Sequence, residues 1–146
     1  PAGALSMVDR IDSLSLNGGS CGLGFVTGSQ TVNPDGWFFE AHFPGDPVCP
    51  GSLGVDGFIQ LLKTFMLQRF PNPTGHIFRM PLNSKMVWDY RGQILRHNKK
   101  ITMLVDIIAL AETPNPKVTA NAALLADGVH IYTAQNIELE LVQPTD

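Results

Sequence analysis

The sequence predicts an α+β domain in which an antiparallel sheet wraps around one long central helix. The segment from Gly51 to about Phe70 has no internal proline, and its apolar residues cover most of a helix circumference. That pattern is typical of a helix that other elements surround. Segments with strand character lie on both sides of it. A chain of 146 residues is long enough for one substantial core, so we expect a single domain spanning residues 1–146.

Before the helix, the pattern predicts two strands and a buried aromatic stretch. The strands lie in MVDRIDSLSL (residues 7–16) and GLGFVTGSQTV (22–32), and the glycine-rich turn NGGS joins them. WFFEAHF (37–43) follows the turn NPDG and carries three successive aromatic residues, which indicate burial. The helix comes next, and PNPTG ends it.

After the helix, four further segments are predicted to be strands. They are HIFRMPLNSKMVWDYRGQI (76–94), KKITMLVDIIALAE (99–112), KVTANAALLAD (117–127) and VHIYTAQNIELELV (129–142). Asp127 and Gly128 can take positive φ, so the last two strands should form an antiparallel hairpin. AETPNPK reads as a loop.

Composition excludes several classes of protein. A net charge of -3 argues against nucleic-acid binding. No apolar run has the length of a membrane span and no leader pattern is present, so we expect a cytoplasmic protein. The apolar fraction of 44% with only 16% charged residues favours an oligomer. Cys21 and Cys49 can form one disulfide but are more simply reduced thiols. The start without Met suggests a processed product or a domain of a longer chain.

The loop HFPGDPVCPGSLGVD (42–56) carries the residues that point to chemistry. Its three prolines fix the backbone and would hold His42 in place. Gly51 lies where the helix should begin, and free N–H groups there can bind a polarised carbonyl oxygen. Asp56 falls among apolar residues, which would keep it a neutral acid, and Gln60 lies on the same helical face. A structural histidine and a helix-capping aspartate are the alternative interpretation of each residue alone; together the set fits acid–base work on a carbonyl substrate.

Two other kinds of site fit less well. His76, His97 and His130 show no metal-ligand spacing with each other or with cysteine, so no metal site is predicted. Cys49 near His42 suggests a thiol nucleophile, but a cysteine beside an apolar loop usually serves packing.

The segment NPDGWFFEAHFPGDPVCPGSLGVDGFIQL (33–61) resembles the active-site segment of the 3-hydroxyacyl-(acyl carrier protein) dehydratases, closest to the 3-hydroxydecanoyl dehydratase/isomerase branch. SMVDRID (6–12) is similar to that family's first strand, and ADGVHIYTAQNIELELV (126–142) to its last hairpin. The chain therefore resembles either a stand-alone enzyme or one domain of a polyunsaturated fatty-acid synthase.

The resemblance implies a hotdog fold and a homodimer or pseudo-dimer whose site takes His42 from one unit and Asp56 from the other. It implies dehydration of a 3-hydroxyacyl thioester to the trans-2-enoyl thioester, with or without isomerisation of the double bond. His42 would remove the α-proton, the Gly51 N–H would polarise the carbonyl, and Asp56 would protonate the departing hydroxyl. The Val48 carbonyl would orient His42. No cofactor is implied beyond the phosphopantetheine arm of the acyl carrier protein, which is the expected partner.

Two further sets of residues are candidates for substrate and partner contacts. An acyl tunnel or simply the core would be lined by Phe58, Leu61, Leu62, Phe65 and Trp88. An acidic carrier, or simply solvent, would meet the basic run of Arg91, Arg96, Lys99 and Lys100. Two alternative functions stay open: a hotdog thioesterase, and a non-catalytic acyl-binding or scaffolding domain of a megasynthase.

Overall fold

The computed structural model of the protein describes Val8 and residues 10–31, 51–70, 75–81, 86–90 and 99–143, with the backbone alone at 51–56 and 90. The described residues form one helix and one seven-stranded antiparallel sheet. In chain order the elements are β1 (Arg10–Ser15), β2 (Phe25–Thr31), α1 (Gly51–Arg69), β3 (Ile77–Arg79), β4 (Val87–Tyr90), β5 (Lys100–Ala111), β6 (Lys117–Ala126) and β7 (Val129–Val142).

The sheet has the order β1-β2-β5-β6-β7-β3, and β4 pairs with β7 as well. Both short strands lie along β7, with Ile77 opposite Val142 and Trp88 opposite Ala134. The single strand predicted over residues 76–94 is therefore wrong, because the structure divides it into β3 and β4. Pro81 lies between them and has no N–H to donate to a ladder, which explains the break.

The hairpin of β6 and β7 is confirmed. Asp127 and Gly128 have φ values of 50° and 85°, and the two strands pair antiparallel from Ala126 opposite Val129 onward. β7 coincides with the predicted segment 129–142. On β5 and β6, buried residues alternate with partly exposed ones, which is the period of a strand with one face on the core.

The core lies between α1 and one face of the sheet. The helix supplies Phe58, Leu61, Leu62, Phe65 and Met66, each fully buried, and it contacts β2, β5, β6 and β7. Complete burial of such a side chain stabilises the fold by about 1.5–3 kcal/mol. Gly28 permits the close approach, because a Cβ there would lie 2.6 Å from Leu61 Cδ2. Gly24 has a φ of 143° and also permits a close approach, because a Cβ there would overlap the Phe65 ring.

The expectation of a helix surrounded on all sides is not met by the described elements. Leu67 is 46% exposed and its neighbour Gln68 is exposed as well, because the helix packs with one side on the sheet. The fold is thus a curled antiparallel sheet with a single helix among the described residues.

Candidate functional site

The contacts of α1 fix its direction on the sheet. Leu61 lies against Gly28, which pairs with Met103, and Phe65 lies beside Gly24 and Ile107. The helix therefore runs in the same sense as β5, and its first residue, Gly51, points toward the end of the sheet where β5 begins. At 1.5 Å per residue, Gly51 lies about 15 Å before Leu61, more than the roughly 10 Å that separate Met103 from Lys100 along the strand.

We call the end of the sheet at which β2 stops and β5 starts the helix-start end; it carries Thr31, Lys100 and Asp127. The opposite end, at which β5 stops and β6 starts, carries Ala111 and Lys117 and is the helix-finish end. The distinction matters because a helix presents unbonded N–H groups and partial positive charge at its start, and the reverse at its finish.

The predicted helix start is confirmed: α1 begins at Gly51, with no acidic residue in its first turn. Asp56 lies within the helix and Gln60 is four residues further on, so both backbone positions share one side of it. Gln60 is half-buried, and its backbone carbonyl oxygen accepts a hydrogen bond of 3.0 Å from Thr64 Oγ1. His42, Val48, Cys49 and the Asp56 side chain lie outside the described residues, and their roles stay predictions.

The tunnel candidates on the helix all belong to the described core. Phe58, Leu61, Leu62 and Phe65 have no exposed surface. They pack with buried residues of the sheet such as Met103 and Leu124. Trp88 lies apart from them, on β4, and is half-buried. Their burial fits the packing alternative, and an acyl-binding role stays a prediction.

Of the basic run, Lys99 and Lys100 are described, and both are exposed at the helix-start end. Neither forms an ion pair with another described residue. Arg91 and Arg96 lie outside the described residues. Asp127 anchors the backbone here: its carboxylate accepts hydrogen bonds from Lys99 N at 3.0 Å and from Lys100 N at 2.9 Å. The sequence predicted the turn at Asp127 but carried no signal for this use of its carboxylate.

Strand pairing adds a second polar cluster near this end, which sequence reasoning missed. Arg10 on β1 donates to Asp12 Oδ1 at 2.8 Å and to the buried Ser29 Oγ at 3.0 Å. A hydrogen bond with Ser29, aided by the charges of Arg10 and Lys100, lowers the pKa of Asp12 below its ordinary value. No local pattern reveals this cluster, because the register of β1 on β2 and β5 brings these residues together.

The helix-finish end carries a cleft of about 490 Å³. It is lined by His76, Arg79, Pro114, Asn115, Val142 and Gln143. The cations here have acidic partners within the chain. Three ion pairs show this: Arg69–Glu112 at 2.8 Å, Arg79–Glu140 at 2.6 Å and Lys117–Glu138 at 3.8 Å.

The described residues offer neither a metal site nor a membrane-spanning helix. No three His, Cys, Asp or Glu side chains there lie close enough together to hold a metal ion. His42 and His97 fall outside those residues, so the prediction of no metal site stays open. Within the same ranges, no helix has the length and apolarity needed to cross a bilayer.

Comparison with protein families gives the decisive observation. A FabA-like domain matches residues 1–135 of the chain. The chain belongs to the FabA-like domain family. FabA-like hotdog domains are commonly dehydratases or isomerases.

Solved structures agree with the FabA-like fold. The dehydratase heterocomplex ApeI:P from Xenorhabdus doucetiae matches with a TM-score of 0.67 and 13% identity, over 100% of this chain and 88% of that one. A mutant thioesterase from Pseudomonas aeruginosa matches with a TM-score of 0.63 and 15% identity, over 91% of this chain and 80% of that one. AziG of S. sahachiroi matches with a TM-score of 0.63 and 8% identity, over 92% of this chain and 91% of that one. At such identities these neighbours establish a shared fold, and the FabA-like domain carries the functional argument.

Proposed function

We propose that this FabA-like domain is a 3-hydroxyacyl-(acyl carrier protein) dehydratase that forms trans-2-enoyl thioesters in fatty-acid or polyunsaturated fatty-acid biosynthesis. The observation that carries the proposal is the start of α1 at Gly51, directly after the loop that bears His42 and with Asp56 five residues further on. The loop and helix start follow the pattern of the 3-hydroxydecanoyl dehydratase/isomerase branch, so isomerisation of the double bond is a second reaction to test.

In the proposed reaction, His42 removes a proton from C2 of the 3-hydroxyacyl thioester. The electron pair of the broken C–H bond forms the C2–C3 double bond as the C3–O bond breaks. Asp56, which the apolar residues near it in the sequence would keep a neutral acid, protonates the leaving hydroxyl, and water departs. The Gly51 N–H stabilises negative charge on the thioester oxygen, aided by the helix dipole. Val48 would orient His42, and Gln60 would orient Asp56.

We propose a dimer or pseudo-dimer with another hotdog domain as the working unit, with His42 and Asp56 contributed by different units. Hotdog domains often dimerise, and one structural neighbour is a dehydratase heterocomplex. The acyl carrier protein is the proposed partner, and exposed Lys99 and Lys100 at the helix-start end suit its acidic surface.

The experiment that tests the proposal supplies the protein with 3-hydroxyacyl thioesters of several chain lengths, on the carrier protein and on a soluble thioester mimic. Formation of an enoyl thioester, followed by its absorbance and identified by mass spectrometry, is the expected result. Release of free thiol with no enoyl product would overturn the proposal in favour of a thioesterase, which the Pseudomonas aeruginosa neighbour makes the natural rival. Binding of the acyl chain without any product would favour the scaffolding alternative.

A further inference from the structure

The sheet has a second face, turned away from α1. On β5 and β6, buried residues alternate with partly exposed ones, and the buried residues pack with the helix in the core. Successive side chains of a strand point to opposite faces, so the partly exposed residues lie on the second face. Strand register places six residues of β2, β5 and β6 side by side in the middle of that face. We call them the outer patch: Phe25, Thr27, Thr102, Leu104, Ala123 and Leu125.

The outer patch is aliphatic at its centre. Leu104 pairs with Thr27 on β2 and with Ala123 on β6. Leu125, two residues after Ala123, lies on the same face, and neither leucine belongs to the hydrophobic cluster of the described core. The Thr27 hydroxyl is hydrogen-bonded to Ser13 Oγ at 2.7 Å, so that hydroxyl would stay satisfied if the patch were buried. The patch therefore has the composition of a sheet face that packs against another sheet.

Charged groups at three margins of the outer patch are bonded within the chain. Asp106 pairs with Phe25 in the ladder, and its carboxylate accepts hydrogen bonds from Ser20 N at 3.1 Å and from the Ser20 hydroxyl. Two ion pairs lie further out: Arg10–Asp12 at 2.8 Å and Lys117–Glu138 at 3.8 Å. Exposed Lys100 lies at the remaining margin, where the rim of an interface stays wet. Because these marginal charges are compensated, the patch would not repel a copy of itself.

We infer that the outer patch binds the outer patch of a second copy of this chain across a two-fold axis. A two-fold contact joins the same surface of both copies, so it needs a surface that is complementary to itself. The outer patch meets that need, because it is aliphatic at its centre and its marginal charges are compensated. In this arrangement, Leu104 of one copy packs beside Leu104 of the other.

The second face is large enough for a specific interface. It spans the five adjacent strands β1, β2, β5, β6 and β7, and about seven residues of each give an area of about 24 by 23 Å. Two copies would bury about 1,100 Å², above the roughly 1,000 Å² that a biological interface should exceed. This contact differs from the pairing of hotdog units proposed above, because α1, which carries Asp56, lies on the other face. It does not depend on the proposed reaction, and an assembly with both contacts holds four copies.

The test places opposite charges at the centre of the outer patch. Leu104→Glu and Leu104→Lys each bring like charges together across the two-fold axis, whereas a mixture of the two variants brings a carboxylate beside an ammonium group. Analytical ultracentrifugation of the full chain should give each variant half the mass of the wild-type assembly. The equimolar mixture should regain the wild-type mass. Leu67→Glu, on the exposed side of α1, is the matched control and should keep the wild-type mass.

Oxidation by hydroxyl radicals gives a second readout at another residue of the outer patch. Phe25 should be oxidised faster in Leu104→Glu than in wild type, because the contact no longer covers it, while Leu67 should react equally in both. If circular dichroism shows that Leu104→Glu does not fold, Thr102→Glu tests the same contact at a position that already bears a polar side chain. A wild-type mass in the folded charge variant, or equal reactivity of Phe25 in variant and wild type, would overturn the inference. A mixture of the Leu104 variants that stays at half mass would overturn the two-fold contact.

Discussion

The two ends of the sheet differ in how their charges are compensated. At the helix-finish end, Arg69, Arg79 and Lys117 each pair with a glutamate of the same chain. At the helix-start end, Lys99 and Lys100 are exposed and form no ion pair with another described residue.

The helix dipole increases this difference. Its positive end faces the end of the sheet that carries the lysines, whereas Arg69 in the last turn offsets its negative end. Cations paired within a chain mainly hold elements together, while exposed cations without an ion-pair partner can attract an anionic partner. The comparison therefore favours the helix-start end for both the proposed chemistry and the proposed docking surface, and it gives no part in either to the cleft at the other end.

The largest effect should come from the proposed catalytic pair. His42→Ala and Asp56→Asn should each lower the rate of dehydration by about 100-fold or more, since a positioned acid or base contributes at least that much. The matched control is His76→Ala, in the cleft at the helix-finish end, which should leave the rate within about twofold of wild type, because a substitution away from a special feature usually changes stability by no more than about 0.5 kcal/mol and this one lies away from the proposed chemistry. A loss of similar size in His76→Ala, measured with the soluble mimic, would contradict the placement of the chemistry.

The sequence predicted the elements whose signals are local. Gly51 and the prolines after Phe70 bound the helix, and the segments 99–112 and 117–127 predicted β5 and β6. Contacts made by pairing of distant segments were not predictable. Ser29 meets Arg10 only through the register of β1 on β2, and Asp127 meets Lys99 across residues 100–126 of the sheet.

The catalytic candidates were found for a different reason. Their residue types lie within one short stretch, so the resemblance to a dehydratase segment identifies them without any knowledge of the fold. The single strand over 76–94 was wrong because the apolar residues on both sides of Pro81 outweighed the proline in the pattern.

A medium effect is expected from neutralising the lysines. Lys99→Gln/Lys100→Gln should raise KM for carrier-bound substrate at low salt, and the increase should fade as salt screens charges beyond about 8–10 Å. The matched control, Arg79→Gln/Lys117→Gln, removes the same net charge at the helix-finish end. The two double variants are compared by their KM values for carrier-bound substrate, measured by steady-state kinetics at two ionic strengths. If both pairs raise KM equally, net charge rather than the position of the lysines controls docking.

The smallest effect concerns stability at the Arg10 cluster. Because the folded-state pKa of Asp12 is lowered, chiefly by Ser29 and then by Arg10 and Lys100, its contribution to stability is present above its unfolded pKa and is lost as the pH falls through the folded value. Urea unfolding should therefore show wild type more stable than Asp12→Asn at neutral pH, with the difference shrinking in acid. Ser29→Ala should reduce that pH dependence. If the difference in unfolding free energy between wild type and Asp12→Asn stays constant with pH, then the pKa of Asp12 is the same in the folded and unfolded states.

The most direct measurement of the central claim runs the reaction backwards in D₂O. The trans-2-enoyl thioester mimic is incubated with the protein, and the product is weighed by mass spectrometry and its label located by NMR. A dehydratase whose His42 exchanges its proton with solvent adds water across the double bond, so we expect a 3-hydroxyacyl thioester with one deuterium at C2, formed at least about 100-fold more slowly by His42→Ala. Recovery of the enoic acid and free thiol, or of the 3-hydroxyacyl product at undiminished rate from His42→Ala, would contradict it.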